Sequence, residues 1–489
     1  MELSVVHFAR CVSVLGICEY YMKDDWTIHE LVLAASPFSE RHTAEAIAKK
    51  TTEACITAGL SNDVKSTVFV AVSDNGANMV AGWAGFGRTP CVVHTGQLSV
   101  HVFLGHTHIQ PTRAKSRGIT SHFSFSTGVD GLGALKGCQR ECNLPEHHPV
   151  KDNDTRWSSG HDQMEWFRVH QRAVQLYDVN HARKAGDAYK GHQMGLEDWR
   201  INLEGVAVLQ PIADWTQYLQ GTKYPTMPLV LPTTYDLIQS LAPDSPLKLY
   251  FPGEVGYELL PTEMHAGVLA ARTAMYDDWV SRWVTNIDPE VKRIYAITTL
   301  LHPCFKTYDF IDDFDLVQPS DKAWALAELR CEWKTAWKPQ PTEPIPDGAP
   351  GTSTDAEPPA SDAVALPLAG EPPKKHRKVS LGSLLSGRVK KDATVVAPAP
   401  PVLAQDELEQ YLEDPEVPEL DLMVLAWWAA KESKWPHLAK MVKQYFAAPA
   451  SSAGVERVFS AAGNMHSDLK KSTKDDTLQH SLFAAFNCD

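Results

Sequence analysis

The sequence predicts an α/β fold, and three segments near the N-terminus carry that prediction. Residues 15–22 and 26–35 are rich in apolar, aromatic and β-branched residues around a short polar run, which is typical of a β-hairpin. Residues 39–58 place apolar side chains at helical spacing. Residues 67–73 are almost wholly apolar, as in a strand that is covered on both faces. The predicted order is therefore hairpin, helix and central strand.

The central strand ends in a carboxylate, Asp74, and Gly59 stands where the preceding helix is expected to end. Hairpin, helix and then a strand with an acid at its end is the order of a ribonuclease H-like sheet. A carboxylate in that place can bind a divalent metal, but a two-metal site needs several carboxylates. Asp-Asn-Gly at residues 74–76 also favours a turn by itself, so the residues alone leave a plain turn as the alternative.

Composition restricts the class of protein. The 489 residues are enough for two or three domains, and the net charge of −14 argues against a wholly basic DNA-coating protein without excluding a local basic groove. Nine cysteines without a dense spacing pattern favour a reducing compartment. No apolar run approaches the roughly 20 residues that span a bilayer, and the N-terminus lacks a secretory pattern. We expect an intracellular protein without a membrane partner.

Shifts in composition divide the chain into four parts. Residues 1–157 are the N-terminal part of the α/β core, and residues 158–338 show a helical pattern that predicts an all-α insertion. Residues 339–405 include 13 of the chain's 33 prolines and few large apolar side chains, which predicts a disordered linker. Residues 406–489 read as several helices that complete the core, with Pro436 at a first helical position.

The last part of the chain contains two apolar helical stripes. Glu456 lies in the first turn of the first of these helices, where the helix dipole favours an acid. The stripes predict a helical end that packs on itself. The first stripe consists of Val455, Val458, Phe459 and Ala462, and the second of Leu478, Leu482, Phe483 and Phe486.

A basic cluster lies inside the proline-rich linker. It has the form of a monopartite nuclear localisation signal, which a receptor reads when it is exposed. The alternative is a solvated run of charge. The signal interpretation predicts a nuclear protein, and its residues are Lys374, Lys375, Arg377 and Lys378.

Several motifs occur in the order found in one family. The pattern S-x-x-x-E-R-x-F-S-x-x-G runs from Ser452 to Gly463. The chain therefore resembles the hAT-superfamily DNA transposases, over nearly its whole length. The other matching motifs are H-T-A-E-x-I at residues 42–47, D-N-x-x-N-M at 74–79, C-x-x-H at 91–94 and T-R-W-x-S at 155–159.

The resemblance implies roles for five residues. Asp74 and Glu456 correspond to the second and third members of a D-D-E triad, which would bind Mg²⁺ or Mn²⁺ in an active enzyme. His94, Arg156 and Trp157 correspond to the part of the site that handles DNA, where Trp157 could stack on an extruded base. The resemblance also implies the ribonuclease H-like core, the all-α insertion that splits it and a C-terminal dimerisation region.

Other interpretations of these residues stay open. Cys91 and His94 could form half of a zinc site, although no clean second pair accompanies them. Arg156 and Trp157 could be a surface cation–π pair. Without the resemblance, Glu456 is an acid that the helix dipole favours.

The sequence departs from the family pattern at its start. Members place the first catalytic Asp in a D-x-W-like context before the hairpin, and residues 1–10 contain no Asp. Glu2 is expected at a frayed terminus, and Asp24 and Asp25 in the hairpin turn. The N-terminal BED-type zinc finger pattern is also missing. We therefore expect an incomplete triad, no strand cleavage and only residual DNA binding.

These expectations combine into one prediction of function. The chain is predicted to be a transposase-derived nuclear protein that forms a homodimer or higher oligomer through its C-terminal region, with no small-molecule substrate. The alternatives are an active D-D-E transposase whose N-terminus is missing from the gene model, and an unexpressed relic. The predicted dimerisation residues are Trp427, Trp428, Val458, Phe459, Leu482 and Phe483.

Overall fold

The computed structural model describes most of the chain with atomic detail. The described residues are 2–7, 13–38, 41–60, 68–84, 87–153, 157–249, 256–312, 314–339, 379–385, 406–420, 423–465 and 475–487.

A five-stranded mixed sheet forms the N-terminal part of the structure. Its strands are β1 (Glu2–His7), β2 (Ser13–Met22), β3 (Ile28–Pro37), β4 (Ala71–Ser73) and β5 (Arg88–Pro90). Their order in the sheet is β3-β2-β1-β4-β5. Strands β1, β2 and β3 pair antiparallel, whereas β1, β4 and β5 pair parallel.

Strand β1 occupies the centre of this sheet. Glu2 pairs with Cys18 of β2 on one side and with Val72 of β4 on the other. The expectation that Glu2 lies at a frayed terminus is therefore wrong, because the backbone around it takes part in two ladders. The two strands that pair with β1 are β2 and β4, and the sequence pattern predicted a strand in both of those segments.

The predicted hairpin and the helix after it are confirmed. The hairpin consists of β2 and β3, although Trp26 lies in the turn with a φ of 63° rather than in a strand. Helix α1 (Ala44–Thr57) is followed by Gly59, whose φ of 87° is the left-handed conformation that ends many helices. The third strand, predicted at residues 67–73, is shorter than predicted, since only Ala71–Ser73 of the described residues 68–73 pair as β4.

Among the described residues, four helices follow strands β4 and β5 along the chain. The turn after β4 leads into α2, and the residue after β5 leads directly into α3. These helices are α2 (Ala77–Gly82), α3 (Val92–Leu104), α4 (Gln110–Phe125) and α5 (Leu132–Glu141).

The predicted all-α insertion is helical with one exception. A two-stranded antiparallel ladder, β6 (Leu247–Leu249) and β7 (Tyr257–Leu259), interrupts it. Each of these strands is only three residues long, which is too short for a clear alternating pattern. The helices of this region are α6 (Trp157–Ala185), α7 (Asp187–Lys190), α8 (Leu196–Leu219), α9 (Val230–Leu241), α10 (Ala266–Val280), α11 (Pro289–Leu300) and α12 (Pro319–Glu332).

The predicted linker also contains a folded piece. Residues 381–384 form a helical turn, α13 (Leu381–Leu384), so the expectation of disorder is wrong for this segment. The C-terminal helices then follow, and Pro436 stands at the first position of its helix as predicted. They are α14 (Glu407–Glu413), α15 (Val424–Lys431), α16 (Pro436–Ala447), α17 (Ala453–Met465) and α18 (Asp475–Asn487).

One large core joins the helical region to the middle of the C-terminal part. Residues of α8 to α11 pack in a common cluster with residues of α14 to α16. Val70 and Val72 from the central strand region belong to the same cluster, which connects it to the sheet. Across the described ranges, no helix combines the length and apolarity needed to cross a membrane.

Candidate functional site

The candidate site lies where the end of β4 meets the first turns of α3 and α17. His94 lies in the first turn of α3, and Glu456 lies in the first turn of α17. His94 Nε2 is 3.4 Å from Glu456 Oε1. The negative charge of Asp74 also acts on His94. The structure therefore brings together Asp74, His94 and Glu456, which the motifs connected only by resemblance.

Residues 450–452 attach the C-terminal helices to this site. The backbone N–H of Val92 donates to the carbonyl of Ala450 at 3.0 Å, and the N–H of Ser452 donates to Cys91 Sγ at 3.2 Å. Ala450 and Ser452 are fully buried. Since buried backbone groups need partners, these contacts fix the start of α17 against the start of α3.

Both ring nitrogens of His94 have partners from the C-terminal part of the chain. Nδ1 is 3.3 Å from Ser452 Oγ, and Nε2 faces the carboxylate of Glu456. The side chain is 29% exposed, so one part of the ring remains open to solvent. The ring is held in one orientation by residues that lie more than 350 positions later in the chain.

Charge neighbours keep His94 protonated. Burial acts to lower the pKa of His94, but the hydrogen bond and charge of Cys91, followed by Glu456 and Asp74, raise the pKa to about 9. Burial acts to raise the pKa of Cys91, but hydrogen bonds involving His94 and Ser452 lower it below its ordinary value. At neutral pH the centre of the site is thus an imidazolium rather than a neutral ring.

Asp74 caps the turn that follows β4. Its Oδ1 accepts a hydrogen bond from the N–H of Gly76 at 3.0 Å, so the turn interpretation of this motif is confirmed. The turn does not prevent Asp74 from being part of a site, because the same carboxylate lines a cavity of about 200 Å³ together with His42 and Asn78. Asn75 Nδ2 donates to Thr95 Oγ1 at 3.0 Å, which ties this turn to α3.

Arg88 supports the same turn from β5. Its Nε donates to Ser73 Oγ at 2.8 Å, and its Nη2 donates to the carbonyl of Asp74 at 2.7 Å. Burial lowers the pKa of Arg88, and the charge of Asp74 opposes this effect. Arg88 therefore positions the backbone that carries Asp74.

Sequence reasoning missed Arg88 and Ser452 as parts of this arrangement. Ser452 is the first residue of the S-x-x-x-E-R pattern, so the motif contained the signal but not the contact. Nothing in the local pattern distinguishes Arg88. Among the described residues, no group of three or more His, Cys, Asp and Glu side chains is placed so that it could hold a metal ion.

The other predicted site residues fall partly outside the described residues. Arg156 lies outside them, and Trp157 begins α6 with only its backbone described. The four residues of the basic cluster, Lys374, Lys375, Arg377 and Lys378, also lie outside the described residues. Their roles stay predictions.

Five of the six predicted dimerisation residues are covered by the chain itself. Their side chains are at most 6% exposed, while Phe483 is 50% exposed. The apolar faces of the C-terminal part therefore do not need a second chain to bury them, because the helical core covers one set and the sheet covers the other. The covered residues are Trp427, Trp428, Val458, Phe459 and Leu482.

Residues 407–488 match the family described as the hAT family C-terminal dimerisation region. The chain is also 24% identical over 439 residues to the Zinc finger BED domain-containing protein 6 of Mus musculus, and 24% identical over 437 residues to its Homo sapiens counterpart. The last part of the chain thus carries a hAT C-terminal dimerisation region, and most of the chain is similar to BED zinc finger proteins. The matched region contains α14 to α18, so Glu456 of the candidate site belongs to the hAT region.

The relatives are longer than this chain. The match to the mouse protein covers 86% of the chain and 40% of that relative, and the human counterpart gives 85% and 39%. The Zinc finger BED domain-containing protein 4 of Homo sapiens is 22% identical over 325 residues, which is 66% of the chain and 23% of that relative. The chain thus spans about two fifths or less of the length of these curated relatives.

Proposed function

We propose that this hAT-derived chain is a nuclear protein that associates with itself through residues 407–488 and does not cleave DNA. The observation that carries the proposal is the match of those residues to the hAT C-terminal dimerisation region. That region is folded onto the rest of the chain rather than extended from it, so self-association would join two complete folded units.

The exposed apolar residues of the hAT region are the candidate contacts for self-association. Phe483 on α18 is 50% exposed and Met423 before α15 is 72% exposed. Large apolar side chains at an interface contribute most when they become buried. We expect size-exclusion chromatography with light scattering to give a dimer or higher oligomer for the wild-type chain.

A variant pair tests whether Phe483 is part of that contact. Phe483→Asp should weaken association at least tenfold, because a charge would have to be desolvated in the interface. Val129→Asp is the matched control, since Val129 is 87% exposed and lies outside residues 407–488. A wild-type chain that stays monomeric at high concentration would contradict the proposal.

The order of the strands supports a ribonuclease H-like core. The sheet has the order β3-β2-β1-β4-β5, with β1, β4 and β5 parallel. A ribonuclease H-like core would have this order and an acid at the end of β4. Asp74 directly follows β4. An experimental structure of the chain would test this assignment, and a different strand order would contradict it.

The register of β1 supports loss of cleavage. Leu3 pairs with Ser73 in the parallel ladder, so the next step places Ser4 at the level of Asp74. A serine hydroxyl is a poor ligand for Mg²⁺ compared with a carboxylate. A second support is the imidazolium of His94, which faces the carboxylate of Glu456 and on which the charge of Asp74 also acts. The cation of His94 would repel a metal ion.

Calorimetry with Mg²⁺ and Mn²⁺ tests this interpretation. We expect no binding by the wild-type chain at millimolar metal. The double variant Ser4→Asp/His94→Gln should gain measurable binding, because it adds a carboxylate and removes the competing cation. Binding by the wild-type chain that disappears in both Asp74→Ala and Glu456→Ala would contradict the inactive assignment.

The second candidate is an active D-D-E transposase. It is favoured by the convergence of Asp74 and Glu456 on His94 at the end of the central strands. A strand-cleavage assay on labelled duplex DNA with Mn²⁺ separates the two functions. Cleavage that is lost in Glu456→Gln would establish the active enzyme and replace the first proposal.

Residual DNA binding is the remaining part of the proposal. The imidazolium of His94 supplies a positive charge that is partly open to solvent. We expect fluorescence anisotropy at low salt to detect weak binding of duplex DNA that falls as salt rises. Arg156→Ala should reduce it, whereas Arg140→Ala, an exposed arginine paired with Glu146, is the control. A flat titration at low salt would contradict DNA binding.

The basic cluster is the basis for the nuclear location. Replacing Lys374, Lys375, Arg377 and Lys378 by alanine in a fluorescent fusion should move the protein from the nucleus to the cytoplasm. Replacing Lys390 and Lys391 is the control, because they are basic residues of the same linker. Unchanged nuclear accumulation after loss of the cluster would contradict its role as the signal.

A further inference from the structure

A short segment of the predicted linker is folded. Residues 379–385 contain the single helical turn α13, and they lie between the undescribed stretches 340–378 and 386–405. Leu381 is 3% exposed and Leu385 is 4% exposed, and both belong to the large helical core. This segment is therefore packed on the body of the protein.

Local contacts shape the turn but do not explain its stability. Ser380 Oγ accepts a hydrogen bond from the N–H of Ser383, and Ser383 Oγ accepts one from the N–H of Ser380, both at 3.1 Å. This reciprocal cap satisfies two backbone donors. Isolated helices shorter than about 12 residues are marginal in water, so one turn persists only if a partner surface supports it.

The partner surface is a groove between α8 and α9. Two cavities of about 280 Å³ and 440 Å³ flank the turn, and residues of the turn line both. Pro211 inside α8 lacks an N–H, so it cannot donate the helical hydrogen bond to the carbonyl of Ala207, and both residues line the second cavity. The first cavity adjoins Leu381, and its lining includes Tyr218, Tyr224, Leu229, Val424 and Leu425. The second cavity adjoins Leu384, and its lining includes Ala207, Pro211, Asp236 and Leu237.

The apolar residues of the segment follow the spacing that such grooves recognise. Leu381, Leu384 and Leu385 are at positions i, i+3 and i+4, which lie on one face of a helix. Short amphipathic helices that insert such residues into an apolar groove are a recurring mode of peptide recognition. The serines at 380 and 383 are exposed and complete the polar side.

We propose that the groove between α8 and α9 is a binding site for the Leu-x-x-Leu-Leu segment 381–385 of the chain's own linker, and that this docking anchors the chain at the residues that directly follow the basic cluster. Lys378 is bonded to Val379, and Lys374 lies no more than about 19 Å from Val379, because consecutive Cα atoms are about 3.8 Å apart.

Attachment to the same chain explains why so small a contact is occupied. A covalent connection of suitable length can hold a segment at an effective concentration in the millimolar range. Two buried leucines then suffice for docking within the chain, although the free peptide would bind weakly. The docking does not depend on the nuclear role proposed for the basic cluster.

Hydrogen exchange of the full-length chain tests the anchor. The N–H groups of Leu384 and Leu385 donate to the carbonyls of Ser380 and Leu381. In the wild-type chain we expect these amides to exchange at least tenfold more slowly than in a free peptide of residues 377–388. The double variant Leu381→Asp/Leu385→Asp should lose this protection without a change in the protection of α8 and α9.

Changes to the groove and to the cap complete the test. Ala207→Arg should also remove the protection, because a long side chain would fill the second cavity. Ser380→Asp is the control, since aspartate caps a helix as well as serine does. Protection that persists in Leu381→Asp/Leu385→Asp, or wild-type amides that exchange as fast as the free peptide, would overturn the proposal.

Limited trypsin digestion gives a second readout. The Lys378–Val379 bond adjoins the docked segment, whereas the Lys390–Lys391 bond is farther from it in the chain. We expect Lys378–Val379 to be cut roughly tenfold faster in the double aspartate variant than in the wild type, because proteases act on opened segments. Equal rates at Lys378–Val379 in the two proteins would contradict anchoring.

Discussion

The two faces of the sheet are covered by helices from very different places in the chain. The first face packs against α1, which follows β3, and against α2, which follows β4. The second face packs against α17 and α18, which lie more than 400 residues after β2. The first cluster includes Leu15, Ile17, Ala34, Ile47, Cys55 and Trp83; the second consists of Cys18, Val32, Ala35, Val455, Val458, Phe459 and Leu482.

This difference separates a local part of the fold from a non-local part. Contacts between β3 and α1 close short loops, whereas contacts between β2 and α17 must close nearly the whole chain. Neighbouring residues such as Ala34 and Ala35 face opposite clusters, as the alternation of a strand requires. The second face is therefore complete only when the hAT region docks, and the candidate site forms in the same step.

A matched pair of core deletions gives the largest expected effects. Ile47 on the first face and Leu482 on the second are at most 1% exposed. Replacing either by alanine should lower the free energy of unfolding by about 3 kcal/mol, from lost burial and a cavity. Ile47→Ala should affect the global transition in urea, whereas Leu482→Ala should first raise the proteolytic sensitivity of α18. Equal sensitivity of α18 in both variants would contradict the separation of the faces.

Close packing at Gly16 gives the next largest effect. A Cβ at Gly16 would lie 2.6 Å from Val455 Cγ1 and 2.9 Å from Phe459 Cζ. Gly16→Val should therefore push α17 away from β2 and lower stability by about 2 kcal/mol in urea denaturation. Gly137→Val is the control, because the nearest atom to a Cβ there is an arginine end at 3.9 Å. A Gly16 variant as stable as the control would show that α17 does not pack as described.

The last residue of α18 closes the edge of the sheet. Asn487 Oδ1 accepts from the N–H of Val32 at 2.9 Å, and Asn487 Nδ2 donates to the carbonyl of Val32 at 2.8 Å. Because β3 is an edge strand, this amide takes the place of a neighbouring strand. Asn487→Ala should cost about 1.5 kcal/mol in thermal or urea unfolding. Ser481→Ala, an exposed change on the same helix, should be neutral, and an equal loss in both would contradict the edge role.

The pH dependence of stability gives the smallest effect. The pKa of His94 in the folded protein is raised to about 9, above its ordinary value of about 6.5. Its stabilising contribution is therefore complete below about pH 6.5 and is lost as the pH rises through about 9. We expect urea denaturation to show a loss of about 1 kcal/mol across this range, and a smaller loss in Glu456→Gln. Titration of the His94 ring by NMR measures the pKa directly, and an ordinary value would contradict the charged contacts of His94 with Cys91 and Glu456.

Trp26 shows how local and long-range information combine. The sequence placed it in a strand, but its φ of 63° puts it in the hairpin turn. Its Nε1 donates to Glu432 at 2.7 Å, and its ring stacks on Trp428 with centroids 6.4 Å apart. The turn is therefore shaped partly by helices of the hAT region, and no pattern within residues 22–28 contains that information.

The candidate site divides in the same way. Asp74 at the end of a strand and Glu456 in the first turn of a helix were predicted from local patterns, and the structure confirms both placements. The contacts of His94 with Ser452 and Glu456 were not predicted as contacts, because they join residues more than 350 positions apart. The resemblance to the hAT family indicated that His94 and Glu456 belong to one site, and only the folded structure shows how far apart their atoms lie.

By itself the sequence determined the local elements: the hairpin, helix α1 with Gly59 after it, the helix that begins at Pro436, and the hAT motif around Glu456. Periodicity and turn chemistry act over a few residues, so these features can be read without a fold. Tertiary structure alone decided the central place of β1, the docking of Leu381 and Leu385, and the meeting of His94 with Glu456. Each of these depends on which distant surfaces bury one another, and only the folded chain settles that competition.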